Sequence, residues 1–83
     1  MKVAVRYFAS LREALGSGES VEVADGSDVA ALRDALAGRG GRHAEGLGRH
    51  RAVRASRNLV LCAEATPLED GDEIGFFPPV TGG

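Results

Sequence analysis

Apolar and polar positions alternate along Lys2-Val3-Ala4-Val5-Arg6-Tyr7-Phe8 with the period of a strand. Val3, Val5 and Tyr7 fall on one face; Ala4, Arg6 and Phe8 fall on the other. The period then changes. Ser10-Leu11-Arg12-Glu13 has the form of a capping box, with Ser10 as the cap and Glu13 reaching back. Leu11, Ala14 and Leu15 supply an apolar stripe, and Gly16 is placed to end the helix after little more than one turn. A second alternation runs from Ser20 to Ala24, with Val21 and Val23 set against Ser20 and Glu22. The interval Gly16 to Glu19 lets the chain return as a hairpin partner of the first strand. Asp25-Gly26 is turn chemistry, and Ser27 or Asp28 caps the main helix. Val29, Leu32 and Leu36, with Ala35, recur at helical spacing toward a core, and Gly38, Gly40 and Gly41 end the helix.

Residues 42–54 are the least periodic part, with only Ala44, Leu47 and Val53 to pack among Arg, His and Gly. A third strand is expected within 53–57, another from Asn58 to Cys62, and a last one over 73–77. Thr66-Pro67-Leu68 and Asp70-Gly71 are the turns that lead into that last strand. The order is strand, short helix, strand, long helix, three strands. It describes an α+β domain with helices packed on one face of a mixed sheet. The first and last strands are poor in polar residues, so they are expected to be central and parallel, since parallel pairs are buried.

After Phe77 the pattern stops abruptly. Pro78-Pro79 fix φ and cannot continue a ladder or a helix, so they read as a stiff extended spacer. Val80 and Thr81 favour extension, and Gly82-Gly83 carry no side chains. The chain divides into a domain, residues 1–77, and an extended tail, residues 78–83. Fully extended, the six tail residues reach roughly 20 Å, a thin probe tipped by the α-carboxylate of Gly83.

Composition narrows the chemistry. Eighty-three residues make one domain near the lower limit for a self-sufficient core, and 43% apolar with 27% charged is ordinary globular composition. No apolar run approaches the roughly 20 residues of a membrane span, and no signal-peptide pattern opens the chain, so a cytoplasmic protein without membrane contact is expected. The single cysteine, Cys62, excludes an internal disulfide and a multi-thiolate zinc site. His43 and His50 have no Cys or carboxylate at ligand spacing, so no metal is expected. No phosphate-cradling loop is present, so the chain should not bind ATP by itself.

Net charge is −2, but the charge is segregated. Six arginines (39, 42, 49, 51, 54, 57) stand against Glu45 alone, and five acids with no base follow Asn58. Such a cluster is either a solvated face or a partner-binding one. Without interleaved aromatics it does not point to nucleic acid. Glu64, Glu69, Asp70, Asp72 and Glu73 crowd a turn, where solvated carboxylates are expected.

The run Pro67-Leu68-Glu69-Asp70-Gly71-Asp72-Glu73-Ile74-Gly75-Phe76-Phe77-Pro78-Pro79-Val80-Thr81-Gly82-Gly83 closely resembles the C-terminus of the small, sulfur-carrying subunits of molybdopterin synthase. These belong to the ubiquitin-like sulfur carriers. The resemblance implies a β-grasp fold and a protein cosubstrate rather than a catalyst. It implies that Gly83 is adenylated by a ubiquitin-activating-type adenylyltransferase that uses ATP. A sulfur donor enzyme then converts Gly83 to a thiocarboxylate. Pro78, Pro79, Val80, Thr81 and Gly82 insert with Gly83 into the large subunit of a heterotetramer, where sulfur passes to a pterin precursor to form a dithiolene. No cofactor is bound by the chain itself.

The family's hydrophobic contact with the large subunit maps, through Tyr7-Phe8-Ala9 and the span Asn58 to Leu68, onto Phe8, Leu61 and Phe77. Alternation independently sets Phe8 and Phe77 opposite Tyr7 and Phe76, although the residues alone leave ordinary core packing open for all three. Residues 39–57 depart from the family pattern, and Arg57 stands where an apolar residue usually precedes Asn58. Three rivals remain: a sulfur carrier of thiazole (thiamin) biosynthesis, a ubiquitin-like protein modifier, and an interaction module built on the arginine cluster. The run Phe76-Phe77-Pro78-Pro79-Val80-Thr81 argues against the first.

Overall fold

The computed structural model describes residues 1–79; the expectations for Val80, Thr81, Gly82 and Gly83 fall outside the described residues. The elements are β1 (Lys2–Tyr7), α1 (Ala9–Leu15), β2 (Gly18–Glu22), α2 (Val29–Ala37), α3 (Gly41–Leu47), β3 (Arg54–Arg57), β4 (Val60–Cys62) and β5 (Glu73–Phe77). The strands form one sheet in the order β2-β1-β5-β3-β4. The first and last strands are adjacent and parallel, with Val5 beside Ile74 and Tyr7 beside Phe76, and the other pairs are antiparallel. This mixed sheet with helices on one face is a β-grasp.

Alternation decides which face is buried. β1 strictly alternates exposed and buried positions, so Val3, Val5 and Tyr7 point inward with Val21, Ala55, Ile74 and Phe76. Leu11, Val29, Leu32, Leu36 and Leu47 close over them from the helices. Fully burying a Val, Leu, Ile or Phe side chain contributes about 1.5–3 kcal/mol.

Several local expectations are corrected. Ser10 does not cap α1; it lies inside the helix, and Phe8 is the cap residue, its carbonyl accepting from the Leu11 N–H at 3.1 Å. β2 begins two residues early, at Gly18, because antiparallel pairing sets Arg6 opposite Gly18 and Lys2 opposite Glu22. Val23 falls beyond the strand and donates its N–H to the Met1 carbonyl. Asp28 caps α2 as expected, accepting from the Ala31 N–H at 2.8 Å. On that helix Ala35 is exposed; positions 29, 32, 33 and 36 complete one face, so Arg33 takes the inward place. Asn58 and Leu59, at φ 49° and 70°, are the two-residue turn of the β3–β4 hairpin, so β4 begins only at Val60.

The unforeseen element is α3, built from Gly-Arg-His-Ala-Glu-Gly-Leu. Propensity opposes it. Gly40 and Gly41, at φ 77° and 55°, make a left-handed entry that a side chain would strain. Its anchor is Leu47, fully buried, and its exit is held by Arg33, whose Nε donates to the Leu47 carbonyl at 2.7 Å and whose Nη2 donates to those of Gly48 and Arg51. Tertiary contacts, not local sequence, make this helix.

Candidate partner-docking face and tail root

The outer face of the sheet carries what alternation left over. Phe8 is 37% exposed and Leu61 58%, and Phe77 is half-buried. Register brings them onto one surface. Leu61 stands opposite Ser56, Ser56 opposite Gly75, and Phe77 opposite Arg54, all within β4, β3 and β5. Phe8 follows β1 directly and turns its ring across Gly75. A β-carbon there would lie 2.8 Å from Phe8 Cε2 and 2.6 Å from Ser56 Oγ. Gly75 thus has a steric job: with no side chain it lets the Phe8 ring lie on the strand beside Phe77. Tyr7 and Phe76 point the opposite way into the core, each 1% exposed. Next to this surface, Leu59 and Val60 are 80% and 67% exposed at the sheet edge. The run Leu59-Val60-Leu61-Cys62 is apolar throughout, so it carries no alternation that would mark Leu59 and Val60 as outward.

The arginine cluster resolves into two groups. Arg49 bridges Asp34 and Glu64, and these hydrogen bonds drive its pKa upward. The same contact holds the Asp34 carboxyl below its usual range. Arg39 pairs with Glu19 at 2.6 Å, and Glu19 also accepts from the Tyr7 hydroxyl at 2.9 Å. Burial, reinforced by that hydrogen bond to a carboxylate, raises the Tyr7 pKa, so the phenol stays a donor. Arg57 pairs with Asp72 at 2.7 Å and Glu69 at 2.9 Å. The expectation of solvated acids therefore fails for Asp72, which is 5% exposed. Its burial would raise the carboxyl pKa, but hydrogen bonds from Arg57, the Glu69 N–H and Asn58 outweigh that and hold it below the usual range. Arg57 thus forms an ion pair that, with Asn58, clamps the β3–β4 turn to the entrance of β5.

Arg42, Arg51 and Arg54 form the other group: none makes an ion pair among the described residues, and Arg54 stands on β3 opposite Phe77, apart from Arg42 and Arg51. Arg42 and Arg51 border a concavity of about 360 Å³ between α1, α3 and the start of β3, together with Ser10, Glu45, Val53 and Pro78. Pro78 and Pro79 are half-buried, so the tail begins against the body of the domain rather than clear of it. Among the described residues no group of three His, Cys, Asp or Glu side chains could hold a metal ion, and no helix is long and apolar enough to cross a membrane. Cys62 is a free, half-buried thiol.

A β-grasp domain with an apolar outer face beside a proline-led C-terminal segment defines a ubiquitin-like carrier class. The pattern of the ThiS family matches residues 5–83, and the chain belongs to that family. It is 41% identical over 81 residues to the molybdopterin synthase sulfur carrier subunit of Escherichia coli K12, covering 98% of this chain and 99% of that protein. It is 35% identical over 92 residues to small archaeal modifier protein 3 of Haloferax volcanii, covering all of both. Among solved structures it is similar to a chain of the protein–protein complex of subunit 1 and 2 of molybdopterin-converting factor from Helicobacter pylori. The TM-score is 0.71 and the identity 32%, over the full length of both chains.

Proposed function

We propose that this chain is the sulfur-carrier subunit of a molybdopterin synthase, a protein cosubstrate whose Gly83 carries the sulfur. The observation that carries the reading is full-length similarity, at 41% identity, to the E. coli sulfur carrier subunit. The apolar surface of Phe8, Leu61 and Phe77 beside the tail root supports it, as a docking face for the large, catalytic subunit. The domain, residues 1–77, is the rigid handle, and residues 78–83 are the part that enters partner active sites.

The chemistry follows from the carboxylate. An ionised carboxylate, with a pKa of about 3.5, is a poor electrophile. A Gly83 oxygen attacks the α-phosphorus of ATP on an adenylyltransferase, and pyrophosphate leaves. A sulfur donor delivering sulfur at the hydrosulfide level then attacks the carbonyl carbon. The C–S bond forms, the C–O bond to AMP breaks, and AMP departs with the electron pair. The resulting thiocarboxylate is a sulfur nucleophile toward the pterin precursor. Each chain carries one sulfur, so a dithiolene consumes two, which fits an assembly of two carriers on two large subunits. The half-buried prolines root the tail against the domain, and glycines without side chains suit it to two unlike pockets.

The test compares wild type, a form with one alanine appended, and a form lacking Gly83. Intact mass reports the oxygen-for-sulfur exchange, and a second assay reports sulfur transfer to the pterin precursor. Appending a residue moves the reacting carbon by about 3.5 Å, and misplacement on the order of 1 Å already costs about 100-fold in rate. Both altered forms should lose transfer with an unchanged melting temperature. Normal transfer by both would sink the proposal. The similarity to an archaeal modifier favours a second reading, in which the activated glycine is joined to lysines. A ladder of conjugates, with no sulfur transfer, would select it.

A further inference from the structure

The paired arginines of this domain sit where they staple elements together: Arg39, Arg49 and Arg57 each meet an acid, and buried Arg33 meets Glu64. Arg42 and Arg51 do not. Both are exposed, on α3 and on the loop before β3, and both face the concavity of about 360 Å³ that Pro78 also lines. The exit of α3 and the backbone beneath Arg51 are fixed. Arg33 holds the carbonyls of Leu47, Gly48 and Arg51, and the Arg51 Nε is braced on the Glu45 carbonyl at 3.2 Å. The one acid of the rim, Glu45, pairs with neither arginine among the described residues. Leu11, Ala14 and Val53 make the floor apolar. Two unneutralised guanidinium groups over an apolar floor are thus presented on a rigid frame at the point where the tail leaves the domain.

We propose that this concavity is a second docking site, which takes an acidic segment of the large subunit at the mouth of the pocket that receives the tail. The inference rests on the proposed function and deepens it. Charge complementarity selects the occupant, since planar guanidinium groups pair with carboxylates in a forked geometry. Continuity with the tail selects the location, because a protein that encloses residues 78–83 must pass over Pro78 and its neighbours. The apolar outer sheet face then supplies contact area, and Arg42 and Arg51 supply orientation and encounter rate.

The test is association with the large subunit at about 50 mM and about 500 mM salt, a range over which exposed charges become screened. The proteins are wild type, the double variant R42A/R51A, and a K2E control. The double variant and the control change net charge equally, and Lys2 lies at the far end of β1. Two exposed pairs lost should weaken binding about fivefold at low salt and much less at high salt. K2E should bind as wild type does at both. Arg42→Ala alone, which removes no hydrogen bond among the described residues, should give about half of the loss on a logarithmic scale and guards against a folding defect at Arg51. An R42A/R51A protein with wild-type affinity and salt dependence overturns the docking site and leaves the sulfur-carrier reading standing. Equal weakening by K2E overturns it too, since the effect would then be one of net charge. If wild type itself fails to bind the large subunit, the parent reading falls and this one with it.

Discussion

Replacing Arg33 by Met tests the account of how residues 41–52 are held. The Arg33 side chain is 3% exposed and makes four contacts: the carbonyls of Leu47, Gly48 and Arg51 at 2.7–2.9 Å, and Glu64 at 2.9 Å. Met conserves most of the volume, so packing is nearly retained and the loss is chiefly of hydrogen bonds. Bonds to a charged group are each worth about 1.5–3 kcal/mol, but removing one donor leaves shared costs that do not add. An apolar replacement is harmless where it removes both partners of a buried pair. Here it cannot be, because the three backbone carbonyls remain and lose their Arg33 donor. The expected loss is about 3–5 kcal/mol. A domain of this length has roughly 4–12 kcal/mol in all. The melting temperature should therefore fall by about 15–30 °C.

Urea denaturation with linear extrapolation measures the loss, and amide exchange locates it. Protection should collapse first across 41–52, while β1 and β5 keep theirs until global unfolding. A variant that loses less than about 1 kcal/mol, or loses protection uniformly, would refute the view that one buried guanidinium organises this segment.

Two further outcomes follow from the site. Phe77→Ser should leave the free domain folded, because the residue lies on the outer face, and weaken association with the large subunit by on the order of 2 kcal/mol, or about 30-fold; calorimetric titration beside a thermal melt decides, and an unfolded free domain would make Phe77 a core residue. Asp72 has a folded pKa below its unfolded value, so its contribution is present above about pH 4 and lost as pH falls through the folded value. Asp72→Asn should lower stability at neutral pH and flatten the acid limb of the stability curve; an acid limb of wild-type slope would contradict the clamp with Arg57.

Much of this protein was legible locally. Period-two alternation in residues 2–8 determined that Val3, Val5 and Tyr7 face the core and Phe8 faces out, since successive side chains on a strand must point to opposite sides. Turn and cap chemistry located α2 and β5, and the Pro78-Pro79 step marked where β5 ends. The segment 39–57 was different in kind. Nothing local distinguishes Arg33, Arg49 and Arg57, which are neutralised by Glu64, Asp34, Glu69 and Asp72 from 12 to 31 residues away, from Arg42 and Arg51, which are not. Likewise α3 exists because Leu47 finds the core and Arg33 finds its last carbonyls, against the preference of its own glycines. A sequence states the charges and the periodicity, which are properties of single positions and near neighbours. Which charges cancel, and which weak helix is worth forming, depend on distances that only the packed sheet creates.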